Sequence, residues 1–375
     1  MTLYFPTSDT QIPYGGIRIL YAAVDALNQS GMDAAVVHRR PGFRVAWFPN
    51  STQVVAAPKV SVDPARDVVI ITEFRASELL PVVAPGVPKI LFNQAPYLTF
   101  PTGRSDQLLG GEDPFGDPSI LGCITVSVDA EQLLSRLWPW MPLRRVRLPV
   151  LNGQSGDTRD LVQHSERCVT LVRRKRPAEA SLLVGLISKT LSRGGWRLRY
   201  IEGMSSGDVT RLFAVAPIFI HLPALPGEGL PLLLLEAMNA GCAVIGYTGR
   251  GGSEVMTSET ATVIPEGEVL KLADAVEEAC GSFGTARWTE YQSRAMAGQQ
   301  LVRREYTLDH FRGDLVLAVS SLLEGVRVPR ESASVSLDVG LLGPPSVMSR
   351  TSNKLKAVVS DRRHPESPTR RGRMR

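Results

Sequence analysis

No run of about 18 consecutive apolar residues, the length a membrane-crossing helix needs, occurs anywhere in the 375-residue chain. The opening "MTLYFPTSDT" lacks the basic head and apolar core of a signal peptide, so the expected location is the cytoplasm. Cysteine is scarce: Cys123, Cys168, Cys242 and Cys280 stand far apart without a C-x-x-C pair. That argues against a zinc knuckle or a redox dithiol and favours buried thiols. The five histidines show no H-x-x-x-H or H-E-x-x-H spacing, and no Asp-x-Asp pair is present to hold a magnesium diphosphate. A bound metal is therefore not expected.

Excess charge of one sign is also missing from most of the chain. The formal net charge is +5, but residues 350–375 hold nine Lys/Arg against two Asp/Glu, a net of +7, so the other 349 residues sum to −2. A basic excess confined to a Ser/Pro/Arg segment reads as a disordered appendage and not as a nucleic-acid-binding face. Nucleic acid is thus no expected partner except through that tail.

What is present is length, apolar content and alternation. At 375 residues and 43% hydrophobic, the chain exceeds one ordinary core and suggests two soluble domains. Short apolar runs alternate with helix-period segments, the pattern of βαβ units around a parallel sheet. The first set holds strands in "TLYFP", "DAAVVHR", "DVVIITE", "KILFNQ" and "GCITVSV", a helix in "RILYAAVDALNQSG" entered through the loop "YGGI", and a helix in "DAEQLLSRLW" capped by Asp129. The pattern breaks around "RLPVLNGQSGDTRD". A second set follows from "CVTLVR" to "EVLKLADAVEEAC", and residues 286–325 read as closing helices. The expected organisation is a first Rossmann-like domain at 1–150, a linker at 151–165, a second Rossmann-like domain with closing helices at 166–325, and a disordered basic tail at 326–375.

The stretch "PGEGLPLLLLEAMNAGCAVIGYTGRGG", residues 226–252, stands out within the second set. A segment as apolar as "LPLLLLEAM" must be buried, yet it keeps Glu228 and Glu236, and carboxylates in such settings need partners. Gly227 and Gly229 flank Glu228 in the loop, and Pro231 suits a first helical turn. Glu236 lies in the helix, about 12 Å further on at the usual rise. A helix N-terminus bordered by glycines is a cradle for phosphate, and the glutamates are placed to accept hydrogen bonds from hydroxyls at either end of an elongated ligand.

"EGLPLLLLEAMNAG" followed by "GGSEV" resembles the nucleotide-sugar signature of the retaining glycosyltransferases of family four, and "YGGIRILYAAVDALNQSGMDAAVVHRRPGFRVAWF" resembles the start of one bacterial branch of that group. The resemblance spans roughly residues 12–280. It implies an α/β architecture of the GT-B type, two doubly wound domains facing a cleft, and transfer of a sugar from a nucleoside diphosphate with retention and without metal or other cofactor. It further implies that Glu228 contacts the donor sugar, that Glu236 binds the ribose, and that Gly227, Gly229 and Leu230 shape the donor loop.

Charge on the diphosphate is required because the leaving nucleotide gains charge as the glycosidic bond breaks. "VRRKRP" supplies it, and by resemblance Arg174 and Lys175 are the pair; Arg173 and Arg176 compete, or else form a solvated basic turn. Gly15 and Gly16 alone read as a tight turn, and the resemblance makes them the loop closing over donor phosphates and acceptor, with Arg18 a further candidate beside them. Where many relatives carry a histidine, this chain has "LFNQ": Asn93 and Gln94 can hydrogen-bond sugar hydroxyls but cannot serve as acid or base near neutral pH. Two alternatives stay open, a nucleotide-sugar epimerase of the same fold and a non-catalytic nucleotide-sugar-binding protein. The acceptor is not legible.

Overall fold

A computed structural model of the protein describes residues 1–57, 60–73, 76, 80, 86–99, 113–151, 164, 166–324 and 335–336. The first half supplies β1 (Leu3–Pro6), α1 (Gly15–Gln29), β2 (Ala34–His38), β3 (Val54–Ala56), β4 (Ser61–Val62), β5 (Val68–Thr72), β6 (Lys89–Asn93), β7 (Ile120–Thr125), α2 (Val128–Leu137) and β8 (Leu143–Arg145). Seven of these strands form one all-parallel sheet in the order β3-β2-β1-β5-β6-β7-β8. The central strands are buried on both faces, which is why "VVIIT" and "KILFN" read as continuous apolar runs and not as alternating ones.

The second half supplies β9 (Cys168–Leu171), α3 (Pro177–Arg193), β10 (Arg197–Tyr200), α4 (Ser206–Val215), β11 (Ile218–His221), α5 (Leu232–Asn239), β12 (Ala243–Gly246), β13 (Thr262–Val263), α6 (Val269–Ser282), α7 (Trp288–Glu305) and α8 (Leu308–Leu323). Its sheet is also all parallel, in the order β10-β9-β11-β12-β13. "RLRY" forms the edge strand β10, where alternate arginines reach solvent. Two Rossmann-like α/β domains are thus present, as the βαβ alternation requires. One apolar cluster runs continuously from α1 (Ile17, Leu20) into α5 (Leu234, Leu235) and α8 (Phe311, Leu315).

Several sequence expectations are corrected. The sequence pattern groups the helix α8 with the second domain, but it packs on α1, β7 and β8 of the first. Gly122 makes this possible: a Cβ there would lie 2.5 Å from Leu322 Cδ2. Arg147, just after β8, fixes the return by donating to Asp314 at 2.8 and 2.9 Å and to Glu305 at 3.2 Å. The cap of α2 is Ser127, whose Oγ accepts from the Ala130 amide, while Asp129 sits in the first turn and accepts from Tyr97 Oη at 2.8 Å. Gly15 and Gly16 are the first residues of α1 and not a loop before it, and Pro231 is the N-cap of α5 and not its first turn. Strands β3, β4 and β8 are only two or three residues long and leave no apolar run to read.

Within 326–375 only a two-residue strand, β14 (Val335–Ser336), is described, and it pairs antiparallel with β4 of the first domain; the rest of the expected tail lies outside the described residues. So does most of the expected linker. All four cysteines are buried free thiols. Among the described residues, no helix is long and apolar enough to cross a membrane.

Candidate functional site

In the second sheet the strand order reverses between β9 and β11, and ligands of such sheets bind beyond the carboxyl ends at that point. Both candidate motifs arrive there. The basic run leaves β9 as a single 3-10 turn, Arg173–Lys175, before Pro177 opens α3. The glycine-rich loop leaves β11 and delivers Glu228 before α5 begins.

Lys175 and Glu228 meet: Nζ lies 2.6 Å from Oε1 and 2.7 Å from Oε2, with the two side chains 15% and 17% exposed. The Ala224 amide also donates to Oε1, at 2.8 Å. Burial acts to raise the Glu228 carboxyl, but the Lys175 charge and hydrogen bond, together with that amide, outweigh it and hold the group below its ordinary range. His221, at the end of β11, is buried and kept neutral, pushed down to about 3 by burial and then by Lys175. Its Nε2 has no hydrogen-bond partner among the described residues.

The other three basic residues separate clearly. Arg174 is exposed and close enough to Tyr14 that its charge partly offsets the rise that burial imposes on the phenol. It therefore projects toward the N-terminus of α1 in the first domain. Arg173 lies on the surface, donating to Glu202 at 3.2 Å and stacking over Tyr200. Arg176, read from sequence as either a competing ligand or a solvated turn residue, is neither. It is buried, donates to the Pro223 carbonyl at 2.6 Å and to Glu179 at 3.0 Å, pairs with Glu266, and lies over Tyr247. It holds the loop that carries Glu228.

The glycines fit a close approach of the two domains. A Cβ on Gly229 would lie 2.1 Å from the Gln94 carbonyl, and one on Gly227 would lie 2.7 Å from Tyr97, over which Arg250 also stacks. A Cβ on Gly15 would meet Leu232 at 2.8 Å. Gln94 reaches the same seam, with Nε2 donating to the Gly16 carbonyl at 3.3 Å. Leu230 is buried beneath it. Asn93, by contrast, is buried against Thr99, to which its Nδ2 donates at 2.7 Å.

Glu236 is buried on α5, and Arg18 of α1 donates to its Oε1 at 2.9 Å across the seam. Glu254, from "GGSEV", makes a second bridge: its Oε2 accepts from the Val128 amide at the start of α2 at 2.9 Å, and its Oε1 accepts from Tyr306 Oη at 3.0 Å. Sequence reasoning did not single out Glu254, His221 or Glu73. The signal for Glu73 is its place directly after the strand "VVIIT", at the carboxyl edge of the first sheet where the strand order reverses between β1 and β5.

Glu73 is buried, its Oε2 accepts from the Gln94 amide at 2.9 Å, and burial pushes its carboxyl up to about 7 against the opposing effect of backbone amides. A raised acid keeps its proton in the folded state while the unfolded chain has lost it. Stability should therefore fall as pH rises from about 4.5 through about 7, by about 3 kcal/mol in all. Glu73→Gln should remove that fall. Urea unfolding of both proteins at pH 5 and pH 8 measures it, and parallel profiles would remove Glu73 as the cause.

Residues 197–281, which hold both glutamates of the loop and α5, match the family model "Glycosyl transferases group 1". A curated relative, an alpha-1,6-glucosyltransferase of Actinobacillus pleuropneumoniae serotype 7 (strain AP76), is 27% identical over 151 residues, 39% of this chain and 44% of the relative. The match thus spans less than half the length of that protein. The chain is similar in fold to a sucrose-phosphate synthase from Thermosynechococcus elongatus, with a TM-score of 0.61 at 11% identity, covering 86% of this chain and 99% of that one. It is likewise similar to Anabaena HepE solved with UDP-glucose, with a TM-score of 0.60 at 11% identity, covering 86% of this chain and 100% of the other. The GT-B fold follows from these structural likenesses.

Proposed function

We propose that the protein is a glycosyltransferase that moves a sugar from a nucleoside diphosphate onto an acceptor still to be identified. The observation that carries this reading is the meeting of Lys175 and Glu228 at the switch point of the second sheet, with Glu228 inside the segment 197–281 that matches the group 1 family model. The 27% likeness to a glucosyltransferase, and the UDP-glucose seen in HepE, support it.

In this reading the donor lies along the seam, with its ribose on Glu236, its diphosphate at Arg174 and Lys175 near the N-terminus of α1, and its sugar beside Glu228. The bond from the anomeric carbon to the diphosphate oxygen breaks, a bond to the acceptor oxygen forms, and the acceptor proton passes to the departing diphosphate. Lys175 and Arg174 stabilise the charge that grows on the leaving group, in place of a metal. Both Glu228 oxygens are engaged by Lys175, and Oε1 also by the Ala224 amide, so this residue acts as a charge partner and hydrogen-bond acceptor and not as a nucleophile. Attack from the face the nucleotide leaves gives retention. A cytoplasmic setting belongs to the same proposal and is supported by four unpaired thiols.

Incubation with a panel of UDP-, GDP-, ADP- and dTDP-sugars tests it. Release of nucleoside diphosphate from one of them is expected, and release from none counts against the reading.

A further inference from the structure

We infer that Glu254 is a positioning residue for the transfer, one that ties the junction between the two domains to the placement of Glu228. The inference rests on the donor placement proposed above, in which Glu228 meets the sugar, and adds a residue that acts through Glu228. Glu254 closes the 3-10 turn Gly251–Glu254, which follows β12 in the second domain. Its carboxylate reaches out of that domain. The Val128 amide at the start of α2 donates to Oε2 at 2.9 Å, and Arg145 at the end of β8 lies 3.6 Å from the same oxygen. Tyr306 Oη donates to Oε1 at 3.0 Å. The Glu254 side chain is 13% exposed, so these contacts are largely shielded from water.

Tyr306 marks the place where the chain returns to the first domain. It separates α7, which packs on α5 and β12, from α8, which packs on α1, β7 and β8. Its carbonyl accepts from the Val150 amide at 2.9 Å, so the chain leaving the first domain is tied to the chain coming back. The ring is buried, and burial, reinforced by the Glu254 carboxylate, pushes the phenol up and keeps its hydroxyl a donor. The Val128 amide is one of those a helix N-terminus leaves without an internal partner, and the positive end of α2 suits a carboxylate. Glu254 is thus held by the first domain and by the junction at once.

The other end of the same turn holds Glu228. The Gly251 amide donates to the Glu228 carbonyl at 3.1 Å. A Cβ on Gly251 would lie 1.1 Å from the Gly229 carbonyl and 2.9 Å from Oγ of Ser127, the cap of α2. The turn is therefore wedged between the donor loop and α2, with no room even for a methyl group. A single 3-10 turn is too short to absorb a displacement, so a shift of α2 or of the junction against the second domain moves the main chain at Glu228. The proposed nucleotide contacts of Lys175 and Glu236 do not pass through this turn. Glu254 accordingly bears on turnover and not on nucleotide affinity.

The test is a double-mutant cycle in the full chain, combining Glu254→Ala with Glu228→Gln. It is run with the UDP-, GDP-, ADP- or dTDP-sugar from which the parent releases nucleotide, alongside calorimetry with the matching nucleoside diphosphate. Glu254→Ala should lower kcat about thirtyfold, as a misplaced contact to the reacting centre does, while nucleotide affinity stays within about threefold of the parent. Glu254→Gln keeps an acceptor for the Val128 amide and a polar group for the Tyr306 hydroxyl, and should return kcat to within about threefold of the parent. The decisive result is masking: in the Glu228→Gln background, Glu254→Ala should lower kcat by no more than about twofold further, because the side chain it positions no longer contributes. Losses that multiply would overturn the inference and leave the donor reading intact. So would an unchanged kcat in Glu254→Ala, or equal losses of kcat and nucleotide affinity, the mark of a general prop of the seam. A parent that releases nucleotide from no donor would overturn both. If Glu254→Ala lacks a cooperative thermal transition, Tyr306→Phe takes its place in the cycle: a loss of kcat masked by Glu228→Gln sustains the inference, and a loss that multiplies, or no loss, overturns it.

Discussion

Replacing Arg174 and Lys175 together by alanine should lower kcat/KM about a thousandfold, since two charge-assisted contacts of about 1.5–3 kcal/mol each are lost to the diphosphate and to its developing charge. The stability of the two single variants should differ. Sequence alone treats both residues as exposed, and thermal stability is then expected to be indifferent to their loss. The structure keeps that expectation only for Arg174, which is exposed. Lys175 is 15% exposed and bound to both Glu228 oxygens, so Lys175→Ala strands a partly buried carboxylate and should cost about 1–3 kcal/mol. The pH dependence should also change sign. In the parent, Glu228 is held below its ordinary value of 4.5, so its contribution is complete above that pH and is lost as pH falls through the folded value. Without Lys175 the opposing effect of burial dominates, the folded value rises, and stability should instead decline as pH increases above about 4.5. Melting curves from pH 4 to pH 8, recorded without nucleotide because bound ligand would itself raise the melting temperature, separate these behaviours. Near-parental activity of the double variant would remove the pair from the mechanism.

Glu228→Gln should lower kcat about a hundredfold or more while leaving the affinity for free nucleoside diphosphate within about threefold of the parent. Glutamine retains an acceptor for the Ala224 amide but cannot offer Lys175 a charge or accept as strongly from a sugar hydroxyl. The split between turnover and nucleotide affinity is the signature of a contact made to the sugar end of the donor. Parallel losses in both would mark Glu228 as a support for the loop.

The parts of this account legible in the sequence are those in which local pattern and chemistry coincide. Strands such as "VVIIT" and "KILFN" announce buried parallel strands, and Glu228 and Glu236 are conspicuous because carboxylates interrupt an apolar run. What escaped is set by partners remote in sequence. Arg18 and Glu236 are 218 positions apart, and neither carries a local sign of the other. Arg176 looks like its neighbours in "VRRKRP", but only the turn between β9 and α3 decides that it points inward to Pro223 and Tyr247. The apolar stripe of α8 says that the helix packs and not on which domain; Gly122 and Arg147 make that choice. Ser127 is the cap of α2 because its backbone is extended and its hydroxyl takes the Ala130 amide, whereas Asp129 already lies inside the helix and accepts from Tyr97, 32 positions away.

The most direct measurement is a crystal structure of the protein grown with whichever nucleoside-diphosphate sugar releases nucleotide in the panel. The account predicts the ribose on Glu236, the diphosphate within hydrogen-bond distance of Lys175 and Arg174, and the sugar beside Glu228. A donor bound elsewhere, or one in the seam with Lys175 and Glu228 untouched, would contradict it.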